Sequence, residues 1–460
     1  MNLAGQPLAV AGAGPTGALL SILLERRGAT VTLYDSRPDP RHGAGESGRS
    51  INLALADRGI HALGCAGVLE EIKGALVPMR GRYLHPVDGS GGLQPYGQPG
   101  EVIYSISRAR LNRALLEVAL ARPRIEARFE HRLQEVNVAL RLARFRDLRH
   151  GVEIEVPMRP LLAADGAGSV TRRCMVAQGL IEAREADLEH GYKELTIPAG
   201  PGASYRMERE ALHVWPRGGH MLIALPNEDG SFTATLFLPA NGPLSFASLD
   251  SPQAVRSFLA QSFPDAYALM ADGVAEFRKH PTGFLGTVYA RGWHASDAVA
   301  LIGDAAHAIV PFHGQGMNCC FEDCIEFDAC LERASSWGEV FESFYARRKP
   351  DTDAIAQMAL ENYLEMRELV TDPKFRLQQS LALDLERRFP QRFIPRYAMV
   401  MFHHEIPYRI ALERGQIQSR LLAELTAHAA SLAEVDYARG ARSIEASLPP
   451  LSILSSVTKL

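Results

Sequence analysis

Three carboxylates in this sequence stand where an apolar run ends, a placement that suits the binding of hydroxyl groups. Asp35 follows the run 29–34, Asp165 follows 161–164, and Asp304 follows 298–303. A strand that ends in an acid presents its carboxylate at the edge of a sheet, where it can accept hydrogen bonds from a bound sugar. Three such acids in one chain are hard to explain as chance turns, although Gly303-Asp304 alone could be an ordinary strand-to-helix turn.

A glycine-rich turn precedes the first of these acids. Gly12, Gly14 and Gly17 directly follow the apolar strand 8–11 and lead into a helical pattern. Glycines at this spacing permit a tight turn, close approach of the backbone to a pyrophosphate, and close packing of a helix on a strand. Asp35 ends the second strand, where it could reach a ribose 2′-hydroxyl. This pattern predicts a dinucleotide site rather than an ordinary βαβ unit, and the acid favours NAD or FAD over NADP as the tightly held nucleotide.

The third acid leads into a loop and a helix that could hold a flavin. A Pro/Gly-rich loop follows Asp304, and a helix is predicted from about Gly316. The first amides of a helix lack intrahelical partners and carry positive dipole character. Gly316, Met317 and Asn318 would therefore suit the electron-rich end of a reduced, anionic flavin, and Asp304 would hold its sugar chain. Arg37 and Arg49 could neutralise phosphates or could be solvated loop arginines.

The elements that position these residues alternate between strands and helices, which indicates an α/β fold. We predict a Rossmann-like FAD-binding domain with an inserted β-sheet substrate domain and a C-terminal helical region. The predicted ranges are 1–78, 105–180 and 291–350 for the FAD-binding domain, 79–104 and 181–290 for the substrate domain, and 351–460 for the helical region. A helical segment is predicted to begin within 49–55, helices cover 351–370 and 373–388, and residues 181–289 are strongly β in pattern.

Composition limits the classes of partner. The chain has 460 residues, 47% of them hydrophobic and 22% charged, as in a soluble globular protein. Its net charge of −4 gives no basic field for nucleic acid or an anionic membrane. Six cysteines without paired zinc-site spacing, and no recognisable leader, predict reduced thiols in a cytoplasmic protein. The apolar pieces of 448–460 are interrupted and too short to span a bilayer. We expect no metal, and His403-His404-Glu405 is interpreted as structural. The oligomeric state is open, a homodimer being one option.

With these features in this order, the chain resembles the single-component class A flavoprotein aromatic hydroxylases, and within them the kynurenine-hydroxylating branch. The motifs GRSINLALA at 48–56 and VPFHGQGMN at 310–318 carry the resemblance, together with ALENYLEM at 359–366 and FIPRY at 393–397. The first two motifs are specific in combination, whereas GxGxxG and Gly-Asp occur in many flavoproteins. The membrane-anchored relatives continue into a hydrophobic C-terminal helix, and this chain is similar instead to the soluble bacterial forms.

The resemblance implies site residues position by position. It places FAD on Gly12, Gly14, Gly17, Asp35, Arg37, Ala54, Arg108, Leu133, Asp165, Asp304, Met317 and Asn318. It places substrate recognition on Arg82, Tyr96, Asn362 and Tyr397.

The residue types support such a pocket on their own chemistry. Arg82 could bind a carboxylate through two parallel hydrogen bonds, assisted by the hydroxyls of Tyr96 and Tyr397. Asn362 lies on an apolar helical stripe, and a polar amide there needs a partner. The stripe is Ile355, Met358, Ala359, Met366 and Leu369.

Each of these candidates has a plainer alternative. Arg82 could be a surface arginine, the tyrosines could be core residues, and Asn362 could bond to nearby backbone. His313 could bond either to substrate or to backbone. Three apolar residues on predicted strands could hold an aromatic ring or be plain core: Ile223, Leu225 and Phe237.

The resemblance implies that NADPH or NADH reduces FAD, which reacts with O₂ to give a C4a-hydroperoxide that hydroxylates L-kynurenine to 3-hydroxykynurenine. Because the chemistry is borne by the flavin and the aromatic amine activates its own ring, no catalytic side chain is expected. The nicotinamide is expected to bind transiently, because only one dinucleotide fingerprint is present. Two alternatives remain: a hydroxylase of another anionic aromatic, such as a substituted kynurenine or anthranilate, and a flavin-binding module whose redox state controls an interaction.

Overall fold

The structure, a computed structural model, describes residues 1–42, 52–369 and 372–451. The strands among them are β1 Pro7–Ala11, β2 Thr30–Tyr34, β3 Asn52–Leu55, β4 Val77–Met79, β5 Gly81–Leu84, β6 Gly92–Pro95, β7 Ile103–Ser107, β8 Ile125–Arg128, β9 His131–Asn137, β10 Leu142–Asp147, β11 Glu153–Pro157, β12 Leu161–Ala163, β13 Glu182–Ile197, β14 Ala211–Pro216, β15 Met221–Pro226, β16 Phe232–Pro239, β17 Gly283–Arg291, β18 His294–Ala295 and β19 Val299–Leu301.

The helices in the same ranges are α1 Pro15–Arg26, α2 Asp57–Ala66, α3 Leu69–Ile72, α4 Arg108–Leu120, α5 Val170–Ala177, α6 Pro252–Ser262, α7 Pro264–Leu269, α8 Gly273–Lys279, α9 Asp304–His307, α10 Gly316–Arg333, α11 Trp337–Leu364, α12 Pro373–Arg388, α13 Arg396–Phe402, α14 Tyr408–Thr426 and α15 Tyr437–Ser447. A π-helical turn, Glu365–Leu369, continues α11. Arg49, for which a phosphate contact and a solvated loop position were both open, lies outside the described residues, as do residues 452–460.

The chain divides into two compact units, each assembled from three separate segments. Unit 1 comprises Met1–Ala75, Ile106–Leu188 and Gly286–Ala356. Unit 2 comprises Leu76–Ser105, Glu189–Leu285 and Gln357–Leu460. The C-terminal helices from 357 onward therefore cluster with the sheet of unit 2.

Unit 1 is built on a six-stranded sheet in the order β18-β19-β12-β1-β2-β8. All of its pairs are parallel except β18 with β19. The register sets Ala11 opposite both Tyr34 and Ala163, and Ala163 opposite Leu301. Because parallel strands that end at one level direct their following residues to the same edge, the turns after β1, β2, β12 and β19 meet there. The predicted α/β class is confirmed.

A second, smaller sheet and several helices complete unit 1. Strands β9, β10 and β11 form an antiparallel sheet. Helix α1 packs against α4 and α10, and α5 packs against β9. The apolar run of α1, which is buried from Gly17 to Glu25, explains why this helix lies inside the unit rather than on its surface.

Unit 2 contains most of a seven-stranded sheet in the order β17-β13-β16-β15-β14-β5-β6. Alternate residues of its strands form a core with α6, α7 and α8, including Trp215, Leu222 and Phe258. The intervening residues face the other side of the sheet, since successive side chains of a strand alternate. Arg82 of β5 and Ile223 of β15 belong to that second face, because Leu84 and Ile223 are both register partners of Val214.

The C-terminal helices of unit 2 have a core of their own. Helix α14 packs against α12, α13 and α15. Leu385, Leu421 and Ile444 are among its buried residues. Among the described residues, none of the helices combines the length and apolarity needed to cross a membrane.

Some local predictions are wrong. The described part of the segment 49–55 is the strand β3, not the start of a helix. The amide of Asn318 holds it extended, since it donates to the Ala54 carbonyl at 2.8 Å and accepts from the Ala56 amide at 2.9 Å. This contact comes from a residue more than 260 positions away and overrides the helical propensity of the Ala/Leu pattern.

Other predictions missed helices or gave the wrong first residue of a helix. Residues 181–290 contain the helices α6 to α8 as well as strands, and α11 begins at Trp337 rather than at 351. Of the apolar stripe predicted around Asn362, four members are buried, but Leu369 is 42% exposed. It lies in the π-helical turn, where the i, i+7 spacing no longer returns a side chain to the same face.

Candidate functional site

In the turn after β1, two of the three glycines lie too close to neighbouring backbone to carry a side chain, and the third has free space beside it. Gly12 has φ +100°, and a Cβ there would lie 2.2 Å from the Ala164 carbonyl oxygen. A Cβ on Gly17 would lie 1.9 Å from the Gly12 oxygen, so Gly17 allows α1 to approach the strand. A Cβ on Gly14 would meet only an Arg37 nitrogen at 4.0 Å. The space above Gly14 is therefore available to a ligand.

Helix α1 begins at this open position. Its N-cap is Gly14, which provides no side-chain hydrogen bond, and Pro15 follows in the first turn. The first-turn amides are thus not capped by a side chain, which is the usual arrangement where a helix N-terminus binds a phosphate.

Asp35 lies at the end of β2 and is 7% exposed. Its carboxylate accepts hydrogen bonds from the Ala13 amide at 2.9 Å and from the Arg37 guanidinium at 2.8 and 2.9 Å. Burial opposes its charge, but the hydrogen bonds and charge of Arg37 outweigh burial and hold the pKa of Asp35 below its usual value. The acid is therefore ionised and joins the turn after β1 to that after β2.

These turns surround a cavity of about 420 Å³ within unit 1. It brings together eight of the thirteen predicted cofactor residues: Gly12, Gly14, Asp35, Arg37, Arg108, Leu133, Asp165 and Asp304. Gly17 lies behind the turn, in the contact described above.

The other two strand-end acids are held differently. Asp165 accepts from the Ser169 hydroxyl at 2.6 Å and from the Thr171 amide and hydroxyl at 3.1 Å. Asp304 accepts only a weak hydrogen bond, from the Cys320 thiol at 3.4 Å, among the contacts that the described chain gives it. Asp165 thus organises the start of α5, whereas Asp304 keeps acceptor capacity on the cavity wall.

The last four predicted cofactor residues lie around the N-terminus of α10 in the same unit. Asn318 is fully buried, and its side-chain amide donates to the carbonyls of Ala54 and Gly314, both at 2.8 Å. This side chain is therefore committed to the chain itself, and what α10 offers a ligand are the backbone amides of its first turn, including Gly316 and Met317. His313 precedes them in unit 1 and is buried.

Unit 2 brings together three of the predicted substrate residues. The Arg82 guanidinium carbon lies 4.9 Å from the ring centroid of Tyr397 and 5.6 Å from that of Tyr96. The two rings are stacked at 5.4 Å. Arg82 Nε and the Tyr96 hydroxyl are buried without a hydrogen-bond partner in the described part of the chain. A buried N–H and a buried hydroxyl of this kind favour an added hydrogen-bond acceptor between them.

Burial shapes the ionisation of this cluster. It raises the pKa of Tyr397, and it raises that of Tyr96 well above its usual value. Burial disfavours the charge on Arg82, but Tyr397, Tyr96 and Glu365 outweigh it and raise the pKa of Arg82. The cluster therefore presents a permanent cation beside neutral hydroxyl donors, which is the chemistry that binds a carboxylate.

Asn362 and Tyr397 lie on elements that are tied to each other. Asn362, on α11, is 3% exposed, and its amide donates to the Met366 sulfur at 3.4 Å. Arg396, next to Tyr397, forms ion pairs with Glu361 and, at 2.7 Å, with Glu365. These ion pairs join the start of α13 to the end of α11.

The predicted ring-holding residues share a face of the unit 2 sheet. Ile223 and Leu225 alternate along β15, and Phe237 of β16 is paired with Met221 of that strand. Their face is the one that carries Arg82 and is opposite the core formed with α6 to α8.

Several cavity residues were missed by sequence reasoning, notably Tyr34, Arg132 and Phe145. Tyr34 stacks on Phe145 with ring centroids 4.2 Å apart. Signals for both existed: Tyr34 directly precedes Asp35, and Phe145 lies in a strand whose alternate residues Ala143 and Asp147 are also buried.

Comparison with known proteins identifies the family. A sequence family described as "FAD binding domain" matches residues 6–334. A kynurenine 3-monooxygenase of Stenotrophomonas maltophilia is 47% identical over 449 residues, which are 97% of this chain and 98% of that protein. One of Myxococcus xanthus is 45% identical over 442 residues, 96% and 95% of the two chains. This chain belongs to the kynurenine 3-monooxygenase family. It is an FAD-dependent monooxygenase, as predicted.

Solved structures of the same fold are more distant in sequence. The tetrameric form of 2-methyl-3-hydroxypyridine-5-carboxylic acid oxygenase has a TM-score of 0.64 at 18% identity and covers 83% of this chain and 98% of its own. Pseudomonas aeruginosa PqsL in complex with 2-aminobenzoylacetate has a TM-score of 0.61 at 20% identity, covering 79% and 96%. At these identities the likeness shows the fold alone.

The residues of unit 1 fit the cofactor that this family uses. The open space above Gly14, the uncapped start of α1 and the acceptor capacity of Asp304 are the features that a pyrophosphate and a sugar chain require.

Proposed function

We propose that this protein hydroxylates L-kynurenine to 3-hydroxykynurenine, with NADPH and O₂ as co-substrates. We further propose that unit 1 is the FAD-binding domain and that unit 2 supplies the carboxylate-binding residues. The Nε of Arg82, which is buried without a hydrogen-bond partner in the described part of the chain, is the observation that carries the substrate class. Kynurenine ends in a carboxylate that can supply the missing acceptor.

In the proposed complex, Arg82 donates two parallel hydrogen bonds to the carboxylate, and Tyr96 and Tyr397 donate through their hydroxyls. Asn362, in the same unit, contributes its amide. Ile223, Leu225 and Phe237 pack against the aromatic ring. A fixed carboxylate at one end and an apolar wall along the ring orient the substrate in a single direction.

We assign FAD to the predicted residues of unit 1. The amides at the start of α1 would hold the pyrophosphate, Asp35 the adenosine ribose, Asp304 the sugar chain, and the first amides of α10 the flavin ring edge. When bound, FAD accepts electrons from NADPH and activates O₂ for transfer of one oxygen atom. No acidic or basic side chain is needed at the ring, because the aromatic amine donates electron density to its ortho carbon.

NADPH is proposed to bind transiently, since the sequence carries one dinucleotide fingerprint. A cytoplasmic location is proposed on the six cysteines, all of which are free thiols.

The test is NADPH oxidation by the FAD-loaded protein with and without L-kynurenine, with products resolved by mass. We expect strong stimulation and a product heavier by one oxygen atom. Stimulation that yields only hydrogen peroxide would contradict the proposed reaction and show that kynurenine is an effector or a poor analogue of the true substrate. Absence of stimulation would contradict the proposal and favour a flavin-dependent interaction module.

A further inference from the structure

A fully buried acid lies beneath the turn that carries Asp304. Asp323, on α10, is 0% exposed. Its Oδ2 accepts hydrogen bonds from the Gly303 amide at 3.2 Å and from His307 Nε2 at 2.5 Å. Its Oδ1 accepts from Arg348 Nε at 2.7 Å. One carboxylate thus holds the residue before Asp304 and the residue that ends the short helix α9.

The backbone conformation of this turn is restricted by close packing around Gly303. Gly303 has φ +66°, and a Cβ there would lie 3.0 Å from the Cys320 sulfur and 3.1 Å from Thr16 Cγ2. Its carbonyl accepts from the amides of Ala306 and His307 at 2.8 and 3.1 Å. The Gly303 amide bonds to the Asp323 carboxylate, which therefore sets the direction in which the chain leaves β19.

The cation that balances Asp323 is shared with a second acid. Arg348 is 3% exposed and pairs with Glu322 at 2.8 Å as well as with Asp323. Glu322 also pairs with the buried Arg58. Removing one charge from such a cluster leaves another charge buried without compensation. Within the described part of the chain, Asp323 forms hydrogen bonds with the turn 303–307 and Glu322 does not.

A metal ion is a poor alternative occupant of this cluster. His307, Cys319 and Asp323 place ligand atoms near one another. However, the Arg348 guanidinium lies 2.7 Å from Asp323 and 3.3 Å from the Cys319 sulfur, so a fixed cation already fills the position between them.

We propose that Asp323 is a positioning residue for FAD: through Gly303 and His307 it fixes the turn that directs the Asp304 carboxylate into the cavity of unit 1. This inference depends on the proposed assignment of Asp304 to the sugar chain of FAD and does not depend on the identity of the aromatic substrate.

The test compares Asp323→Asn with Glu322→Gln, two neutral isosteres that disturb the same Arg348. The dissociation constant of FAD is measured by titrating the apoprotein and following flavin fluorescence, and the melting temperature of each apoprotein is recorded. We expect Asp323→Asn to weaken FAD binding by about tenfold to a hundredfold, as for loss of a hydrogen bond to a charged group. Glu322→Gln should lower the melting temperature similarly and change FAD affinity less than threefold. Equal effects of both variants on FAD affinity would overturn the proposal.

A double-mutant cycle with Asp304→Asn separates positioning from general loosening. If Asp323 acts through Asp304, the double variant binds FAD no more weakly than Asp304→Asn alone, while the losses in melting temperature still add. Additive losses of FAD affinity would overturn the proposal, and so would an Asp304→Asn variant with unchanged affinity.

Failure of Asp323→Asn to fold leaves His307→Gln as the decisive variant, because it keeps the Asp323–Arg348 pair intact. A folded His307→Gln protein with unaltered FAD affinity would contradict the proposal. None of these measurements uses kynurenine, so their failure is distinct from failure of the proposed hydroxylation.

Discussion

At the scale of single residues, the functional assignments depend on an unpaired hydrogen-bond donor and on a glycine with free space beside it. The Nε of Arg82 is buried without a hydrogen-bond partner in the described ranges, and its guanidinium lies beside the rings of Tyr96 and Tyr397. At Gly14, no neighbouring atom lies close enough to exclude a side chain. A bound ligand accounts for the unpaired Arg82 nitrogen and for the free space beside Gly14. Two predictions about single substitutions follow.

Arg82→Ala should lower kcat/KM for kynurenine by about 30-fold or more, because truncating one partner of a buried charge pair costs about 2 kcal/mol or more. The FAD content should not change. Arg80→Ala is the matched control, since Arg80 is the preceding arginine but is exposed and paired with Glu210. Arg82→Lys should be intermediate, as it keeps the charge and loses the planar fork. Steady-state kinetics decide, and wild-type kcat/KM in Arg82→Ala would refute the carboxylate assignment.

Gly14→Ala and Gly17→Ala should separate ligand binding from folding. An alanine at Gly17 overlaps the Gly12 carbonyl and should destabilise the protein by about 2 kcal/mol or more. An alanine at Gly14 meets no close atom and fits the local φ of −72°, so the melting temperature of the apoprotein should not change. Its FAD affinity should fall at least about tenfold. Thermal melts and FAD titrations of both variants are the measurements; unchanged FAD affinity in Gly14→Ala would remove the pyrophosphate from this turn.

At the scale of elements, the substrate cluster depends on how the helix ends are joined. Tyr397 lies in the first turn of α13, and Arg396 beside it pairs with Glu361 and Glu365 at the end of α11, the helix of Asn362. Two of the predicted carboxylate contacts are therefore on elements held by one arginine.

Arg396→Ala should raise KM for kynurenine about fivefold with little change in FAD affinity, since these half-exposed ion pairs contribute about 1 kcal/mol. The measurement is steady-state kinetics at two salt concentrations, because screening should reduce the difference between the variant and the wild-type protein. Arg387→Ala is the control, as that arginine forms a comparable ion pair on α12 with Asp384. Equal changes in both variants would show that α13 needs no such anchor.

At the scale of the whole molecule, stability depends on buried groups with opposite responses to pH. Burial lowers the pKa of His213 to about 4, so its neutral form stabilises the native state above pH 6.5 and this stability is lost as the pH falls towards 4. Burial raises the pKa of Glu386 to about 7, with repulsion from Glu101 adding to the effect. The native state therefore keeps a proton on Glu386 between about pH 4.5 and 7, and that stability is lost as the pH rises through this window.

Glu386→Gln should gain stability relative to the wild-type protein by roughly 2–3 kcal/mol between pH 5 and pH 8. The glutamine mimics the protonated acid and can keep the hydrogen bond that Gln98 makes at 2.7 Å. Urea unfolding at several pH values measures the difference. Asp384→Asn, on the same helix, is the control: the pKa of Asp384 is lowered to about 2, so its effect should be constant over this range. A Glu386→Gln difference that does not grow with pH would contradict the prediction.

The features that depend on local order along the chain could be predicted from the amino-acid sequence. The apolar runs, the glycine spacing and the acids at strand ends predicted β1, α1 and the turns around the cavity, because parallel strands deliver their following residues to one edge. The four motifs then indicated the family, which the comparisons confirm.

The contacts between side chains that are distant along the chain are seen only in the folded protein. The Asn318 side chain forms a hydrogen bond with the extended segment around Ala54, and Asp323 forms hydrogen bonds with Gly303 and His307. Arg82 lies against the rings of Tyr96 and Tyr397. These contacts join residues from 14 to more than 300 positions apart. The periodicity of apolar residues and the residue types of turns depend only on near neighbours in the sequence. The partners of buried polar groups are therefore fixed only when distant parts of the chain pack together.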